Sequence, residues 1–321
     1  MQKKVKIAFA GRGLPLVKLI DLALTLKNIE VCAVFIPKKE LDFFRSKLHE
    51  FAELWFEDIL HITRDKVKDM NLLKDHDYLI SYNNTEIIEP RLIQNLNKGG
   101  LNFHAGSLPE YAGSYTYQWA IMNNEPQFAA TIHWIEGKTD EGPVILKKEF
   151  PVSSKETGIS LLMKSVYAAH ELMTILLNDI AEDKALLRCD QELSKRKFYS
   201  MAAIQTAGLI DWNRSAAEID RLVRAASFFP LPSPTYEPFT FTRLGKIIIY
   251  KAKIDTTQGL NCNPGEVLGI DGGGVTIKTG NNTALLLTSL SIDNHKYTCG
   301  NMLASGIKTG DLFYGGPRDQ K

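Results

Sequence analysis

Three consecutive segments at the amino end constrain the fold more than anything else in the chain. Residues 5–10 form a short, mostly apolar run of strand length. Residues 14–27 repeat apolar side chains at helical spacing, and residues 30–36 form a second apolar run. A strand, a helix and a strand in that order build a parallel pair with a right-handed crossover. The expected fold class is therefore α/β, a Rossmann-like, mostly parallel sheet. The first turn, Gly11-Arg12-Gly13-Leu14-Pro15-Leu16, starts like a dinucleotide-binding glycine pattern but has Leu16 where the third glycine belongs. Glu30 begins the second strand instead of ending it, so a dinucleotide site is the lesser reading. Arg12 stands where a helix N-terminus could receive a phosphate; a surface arginine without a ligand is the stronger alternative.

The alternation continues. Helices are expected over 39–56, 65–73, 90–95 and 115–122, and strands over 59–62, 77–82, 127–135 and 144–152. The last two are separated by a short turn and should pair antiparallel. A long helix over 157–183, with Leu161, Val166, Leu172 and Leu176 on its apolar stripe, closes the first domain at residue 184. Residues 185–207 are polar and irregular and read as a linker. From 208 to 321 a second domain begins with a helix over 215–227, which Ser215 is suited to cap. Short strands over 246–253, 266–270, 275–279 and 284–292 follow, spaced as in a small β-barrel.

The candidate chemistry lies between residues 101 and 143. Asn102 and His104 are two apart at the end of a strand-like run, so strand alternation sets them on one face. Asp140 lies in the turn between the later two strands. An amide, an imidazole and a carboxylate suffice for acyl transfer to an amine. The first two can donate to an oxyanion, and the third can orient the imidazole. The plainer alternative is that these are turn residues with satisfied hydrogen bonds. His133 reads as an ordinary half-buried strand histidine.

Composition narrows the classes. The chain has 321 residues, 44% hydrophobic and 23% charged, with a net charge of +1, as in a soluble globular protein of two domains. No basic excess points to nucleic acid. The four cysteines have neither zinc-finger nor redox spacing; such sparse usage suits a reducing cytoplasm. The amino end has no secretory leader pattern, and no stretch is expected to reach the roughly 18 apolar residues of a membrane span.

The stretch Asn102-Phe103-His104, then Ser107-Leu108-Pro109-Glu110-Tyr111-Ala112-Gly113, then Asp140-Glu141-Gly142 resembles the signature of the folate-dependent formyltransferase family. Many members read His-x-Ser-Leu-Leu-Pro, where this chain has His104-Ala105-Gly106-Ser107-Leu108-Pro109. Residues 205–313 resemble the C-terminal OB-like domain found in part of that family. The resemblance implies N10-formyltetrahydrofolate as co-substrate, no metal, and a primary amine as acceptor. It implies Asn102, His104 and Asp140 as catalytic residues. By the same resemblance the loop with Asn84, Thr85 and Ile87 meets the pterin, and Ser107 and Tyr111 are candidates to contact the acceptor. The acceptor is expected to be a nucleotide-linked amino sugar. Methionyl-tRNA, or an amino acid such as a hydroxyornithine, is the alternative. The weak net charge and the unusual segment Pro37-Lys38-Lys39-Glu40-Leu41 argue against tRNA. A homodimer is left open.

Overall fold

The computed structural model describes residues 3–48, 54–63, 66–256 and 261–315. β1 (Val5–Gly11), α1 (Gly13–Thr25) and β2 (Ile29–Ile36) form the expected unit, with the strands parallel. Alternate residues of β1 go to opposite cores. Ile7 and Phe9 pack with Leu16, Ile20 and Val34, and Ala8 and Ala10 pack with Phe35, Ile59 and Leu79. Burial on both faces is why the run lacks the polar alternation of a half-exposed strand.

The expected helix over 39–56 is shorter. A 3-10 turn leads into α2 (Leu41–Lys47), and residues 49–53 lie outside the described residues. The strand expected over 59–62 is a correction. The strand is β3 (Phe56–Asp58), and Ile59–Ile62 form a 3-10 turn because the Asp58 carboxylate accepts the Leu60 N–H at 3.1 Å. The helix expected over 65–73 is also absent from its described residues. Asp69 instead accepts the Asn71 N–H at 2.8 Å, closing a local turn. Residues 64–65 lie outside the described residues.

The chain continues through β4 (Tyr78–Tyr82), α3 (Pro90–Ile93), β5 (Gly99–His104), β6 (Ala112–Gly113), α4 (Thr116–Met122), β7 (Gln127–Trp134) and β8 (Val144–Pro151). A seven-stranded sheet runs β3-β2-β1-β4-β5-β7-β8. The first five are mutually parallel, and β7 is antiparallel to β5. Strand order reverses between β1 and β4. The carboxyl ends of these strands therefore open a crevice at the place where α/β sheets take ligands.

The long helix is α5 (Gly158–Ala181). By length and composition it is apolar enough to cross a membrane, contrary to the sequence expectation. Its residues Ala168, Leu172, Met173, Leu176, Leu177 and Ile180 are buried in the core on the α1 side of the sheet. The segment read as a linker carries β9 (Phe198–Tyr199) and α6 (Met201–Gln205).

The remaining elements are α7 (Ala216–Ala225), β10 (Phe239–Thr242), β11 (Gly245–Asp255), β12 (Val267–Asp271), β13 (Gly274–Thr279), β14 (Thr283–Ile292) and β15 (His295–Thr298). They form a separate antiparallel sheet of six strands, with β15 on β14. Ile247, Ile249, Ile277, Leu285 and Leu287 make its core with Ile219 and Val223 of α7. The chain groups into two compact units. One holds residues 1–113, 127–150 and 163–198; the other holds 114–126, 151–162 and 199–321.

Ser215 starts α7 with a reciprocal capping box: its side chain accepts from Glu218 N–H, and Glu218 Oε2 accepts from Ser215 N–H at 2.9 Å. Ser215→Ala is expected to cost about 1 kcal/mol of stability, read from the midpoint of urea unfolding at unchanged slope.

Candidate active site

β5 ends at the crevice and carries both residues that alternation placed on one face. Asn102 lies opposite His133 of β7, and His104 lies opposite Thr131. The Asn102 amide nitrogen donates to His133 Nε2 at 3.1 Å. His133 Nδ1 lies 2.8 Å from the Trp134 carbonyl oxygen, which can only accept, so Nδ1 carries the proton and Nε2 is the acceptor. His133 is 2% exposed. It is thus neither an ordinary core histidine nor half-exposed: it holds the Asn102 amide in place.

His104 is also buried. Its Nε2 lies 2.6 Å from the Tyr111 carbonyl oxygen and therefore donates to it. Gly106 makes this contact sterically possible. A Cβ there would stand 2.2 Å from His104 Nε2 and 2.4 Å from the Tyr111 oxygen. The other ring nitrogen, Nδ1, faces Asp140 Oδ2 at 3.6 Å.

Asp140 is the meeting point. Its Oδ1 is 3.5 Å from His133 Nε2, and its Oδ2 accepts the Gly113 N–H at 2.8 Å. The residue has φ 61°, the left-handed region that an aspartate tolerates better than most side chains. Burial acts to raise its pKa. The facing His104 imidazole and the Gly113 N–H outweigh that and hold the carboxyl below the usual carboxylate range. The arrangement joins an amide donor, an imidazole and a fixed carboxylate. The sequence reading named three of its members; it missed His133, which only the register of β7 on β5 reveals.

The other expected residues are placed less uniformly. Ile87 leaves β4's loop with an exposed apolar side chain, 52% accessible. Asn84 is turned inward, accepting the Glu86 N–H at 2.9 Å and donating to the Glu86 carbonyl at 3.0 Å. Thr85 Oγ1 accepts from the Arg12 guanidinium, which also faces Glu86 at 3.6 Å. At the same turn Glu40 Oε2 accepts the Gly13 N–H at 2.8 Å at the start of α1. Ser107 is half-buried, and its carbonyl accepts the Tyr111 N–H at 2.9 Å. The Tyr111 ring is buried, edge-on to Phe128 at 5.9 Å between centroids. The Tyr111 group that meets His104 is its backbone carbonyl. Among the described residues no group of three or more His, Cys, Asp or Glu is arranged to hold a metal.

Comparison with known proteins agrees with this geometry. Residues 62–176 match the formyl transferase family model, and residues 204–307 match the model of the formyl transferase C-terminal domain. The chain is 25% identical over 232 residues to the methionyl-tRNA formyltransferase of Alkaliphilus metalliredigens, covering 70% of this chain and 71% of that one. It is 31% identical over 225 residues to the methionyl-tRNA formyltransferase of Marinobacter nauticus, covering 69% and 68%. The fold resembles the N-formyltransferase from Helicobacter canadensis, solved with folinic acid and dTDP-3-aminofucose. That likeness has a TM-score of 0.66 at 17% identity, over 91% of this chain and all of that one. With both family models matched in order and Asn102, His104 and Asp140 gathered at one end of the sheet, the chain belongs to the folate-dependent formyltransferase family.

Proposed function

We propose that the protein transfers a formyl group from N10-formyltetrahydrofolate to the primary amine of a nucleotide-linked amino sugar. The observation that carries the reaction type is the convergence of Asn102, His104 and Asp140, with His133 holding the Asn102 amide. The folate supplies the formyl group. The β4 loop fits its ring system: it lies at the sheet's crevice and presents the exposed Ile87 side chain, and Asn84 is spent in holding the loop's shape.

The acceptor amine, unprotonated, attacks the formyl carbon, forming the new C–N bond as the bond to N10 breaks. The Asn102 amide has two N–H groups and gives one to His133; the other serves the oxygen that gains charge. His104 donates through Nε2 to Tyr111, so Nδ1 is its ring atom for exchanging a proton. Asp140 faces that atom and stays ionised, and so stabilises the positive charge on His104 when the imidazole takes up the proton that the amine loses. The leaving nitrogen ends with that proton.

Support for a sugar acceptor comes from the Helicobacter canadensis enzyme, whose whole length aligns with this fold and which was solved with an amino sugar nucleotide. The net charge of +1 is small for a protein that must hold a polyanion. Methionyl-tRNA is the second reading, favoured by the relatives from Alkaliphilus and Marinobacter. A transfer assay with N10-formyltetrahydrofolate against nucleotide-linked amino sugars, charged initiator tRNA and ornithine-type amino acids separates them. Formylation of tRNA alone would overturn the sugar acceptor, and no transfer to any amine would overturn the reaction.

Asn102→Ala is expected to lower kcat by about 10²–10³-fold, the usual cost of an oxyanion donor, and His104→Ala by about 10²–10⁴-fold, the usual contribution of a positioned acid or base. Wild-type turnover in either variant would sink these assignments. Asp140 also ties activity to pH through stability. Its folded pKa lies below the unfolded one, so its contribution is complete above about pH 5 and is lost as pH falls through and below the unfolded value of about 3.9. Thermal unfolding of wild type and Asp140→Asn, compared from pH 7 to pH 3, should show the wild type losing its advantage over the variant on the acid side.

A further inference from the structure

The polar segment after α5 is tied to the Asp140 loop along its length. The Val144 N–H donates to the Cys189 carbonyl at 2.8 Å, and the Cys189 N–H donates back at 2.9 Å. Trp134 Nε1 donates to the Leu187 carbonyl at 3.0 Å, and Arg188 pairs with both Glu136 oxygens at 2.8 and 2.7 Å. The Arg196 guanidinium donates to the Thr139 carbonyl at 2.8 Å. At the centre is Gln191. Its Nε2 donates to the Asp140 carbonyl at 3.0 Å and to the Gly142 carbonyl at 2.6 Å.

Two features make Gln191 more than one tie among several. Both acceptors are carbonyl oxygens, so the amide must present its nitrogen; a flipped amide would set oxygen against oxygen. Its Oε1 is then buried without a partner, a cost that the other end must offset. Its two acceptors also belong to the two most constrained residues of the loop. Asp140 sits at φ 61°, and Gly142 is pressed against β7 so closely that a Cβ would lie 1.9 Å from the Trp134 carbonyl oxygen.

We infer that Gln191 is a positioning residue for the reaction: by gripping the carbonyls of Asp140 and Gly142 it fixes the backbone that sets the Asp140 carboxylate between His104 and His133. The inference rests on the proposed role of Asp140. Without the clamp the loop keeps its ends, but the carboxylate is free to swing from the imidazoles, and a shift of about 1 Å near a reacting centre costs on the order of a hundredfold in rate.

The test uses the full-length protein with Gln191→Glu and Gln191→Ala. Glutamate keeps the side chain's size but has no N–H to give at neutral pH, so it separates the hydrogen bonds from mere packing. Both variants are expected to lose about tenfold to a hundredfold in kcat, with KM for each substrate within about twofold of wild type. In protein labelled with 15N-histidine, the ring-nitrogen signals of His104 and His133 at pH 7 are expected to move, because the carboxylate facing them has moved. A lower unfolding temperature with unchanged kcat and unchanged ring signals would make Gln191 purely structural and overturn the inference. The ring signals are read without turnover. A wild-type protein that transfers no formyl group would therefore defeat the proposed function while leaving the clamp itself tested.

Discussion

A single buried carboxylate holds the site together. Asp140 is 8% exposed, and removing an ionised carboxyl from water costs several kcal/mol unless its surroundings answer the charge. Here the answer comes from the Gly113 N–H after β5 and from His104 at the end of β5. These segments approach Asp140 from different parts of the chain, so each is held in place by what it gives the carboxylate. The same balance depresses the Asp140 pKa in spite of burial. A carboxyl that stays ionised in a dry site can orient a neighbouring imidazole and stabilise positive charge on it, which a half-protonated one would do poorly. Structural and chemical demands therefore coincide in one group.

The parts of this arrangement that depend on local periodicity were legible in the sequence. β1, α1 and β2 follow from runs buried on both faces. Asn102 and His104 share a face because side chains on a strand alternate. His133 was not legible, although its strand was. Its role depends on the register that sets it against Asn102, and register is a property of two strands together. The misread stretch around residues 56–75 has a different cause. Asp58 and Asp69 accept N–H groups two residues on, and such side chains compete with the backbone for helix and strand. Apolar spacing at Ile59, Ile62 and Leu73 then reflects burial in a core of turns.

Arg12 and Glu40 show how a feature with a general use can be engaged within a particular chain. The N-terminus of α1 has the free N–H groups and the dipole that attract anions. Glu40 takes the Gly13 N–H. The nearby guanidinium is bound to Thr85 and faces Glu86, and Asn83 donates to the Arg12 carbonyl at 3.1 Å. The first loop and the β4 loop are thus joined by groups of the chain itself. These contacts give the crevice a fixed wall beside Ile87.

The segment read as a linker carries the most instructive difference between composition and role. Its glutamine and arginines suggest a solvated connection, because polar side chains without periodicity belong on the surface. The structure turns Gln191, Arg188 and Arg196 onto carbonyls and a carboxylate of the loop that carries Asp140. A loop with a residue in the left-handed region and a glycine jammed against a strand needs its backbone position held. Hydrogen bonds to its carbonyls can do so, since the donors fix backbone position directly and fill no core. That is a reason for a polar segment to run beside a reacting centre: apolar side chains could cover the loop but could not hold its carbonyls in register.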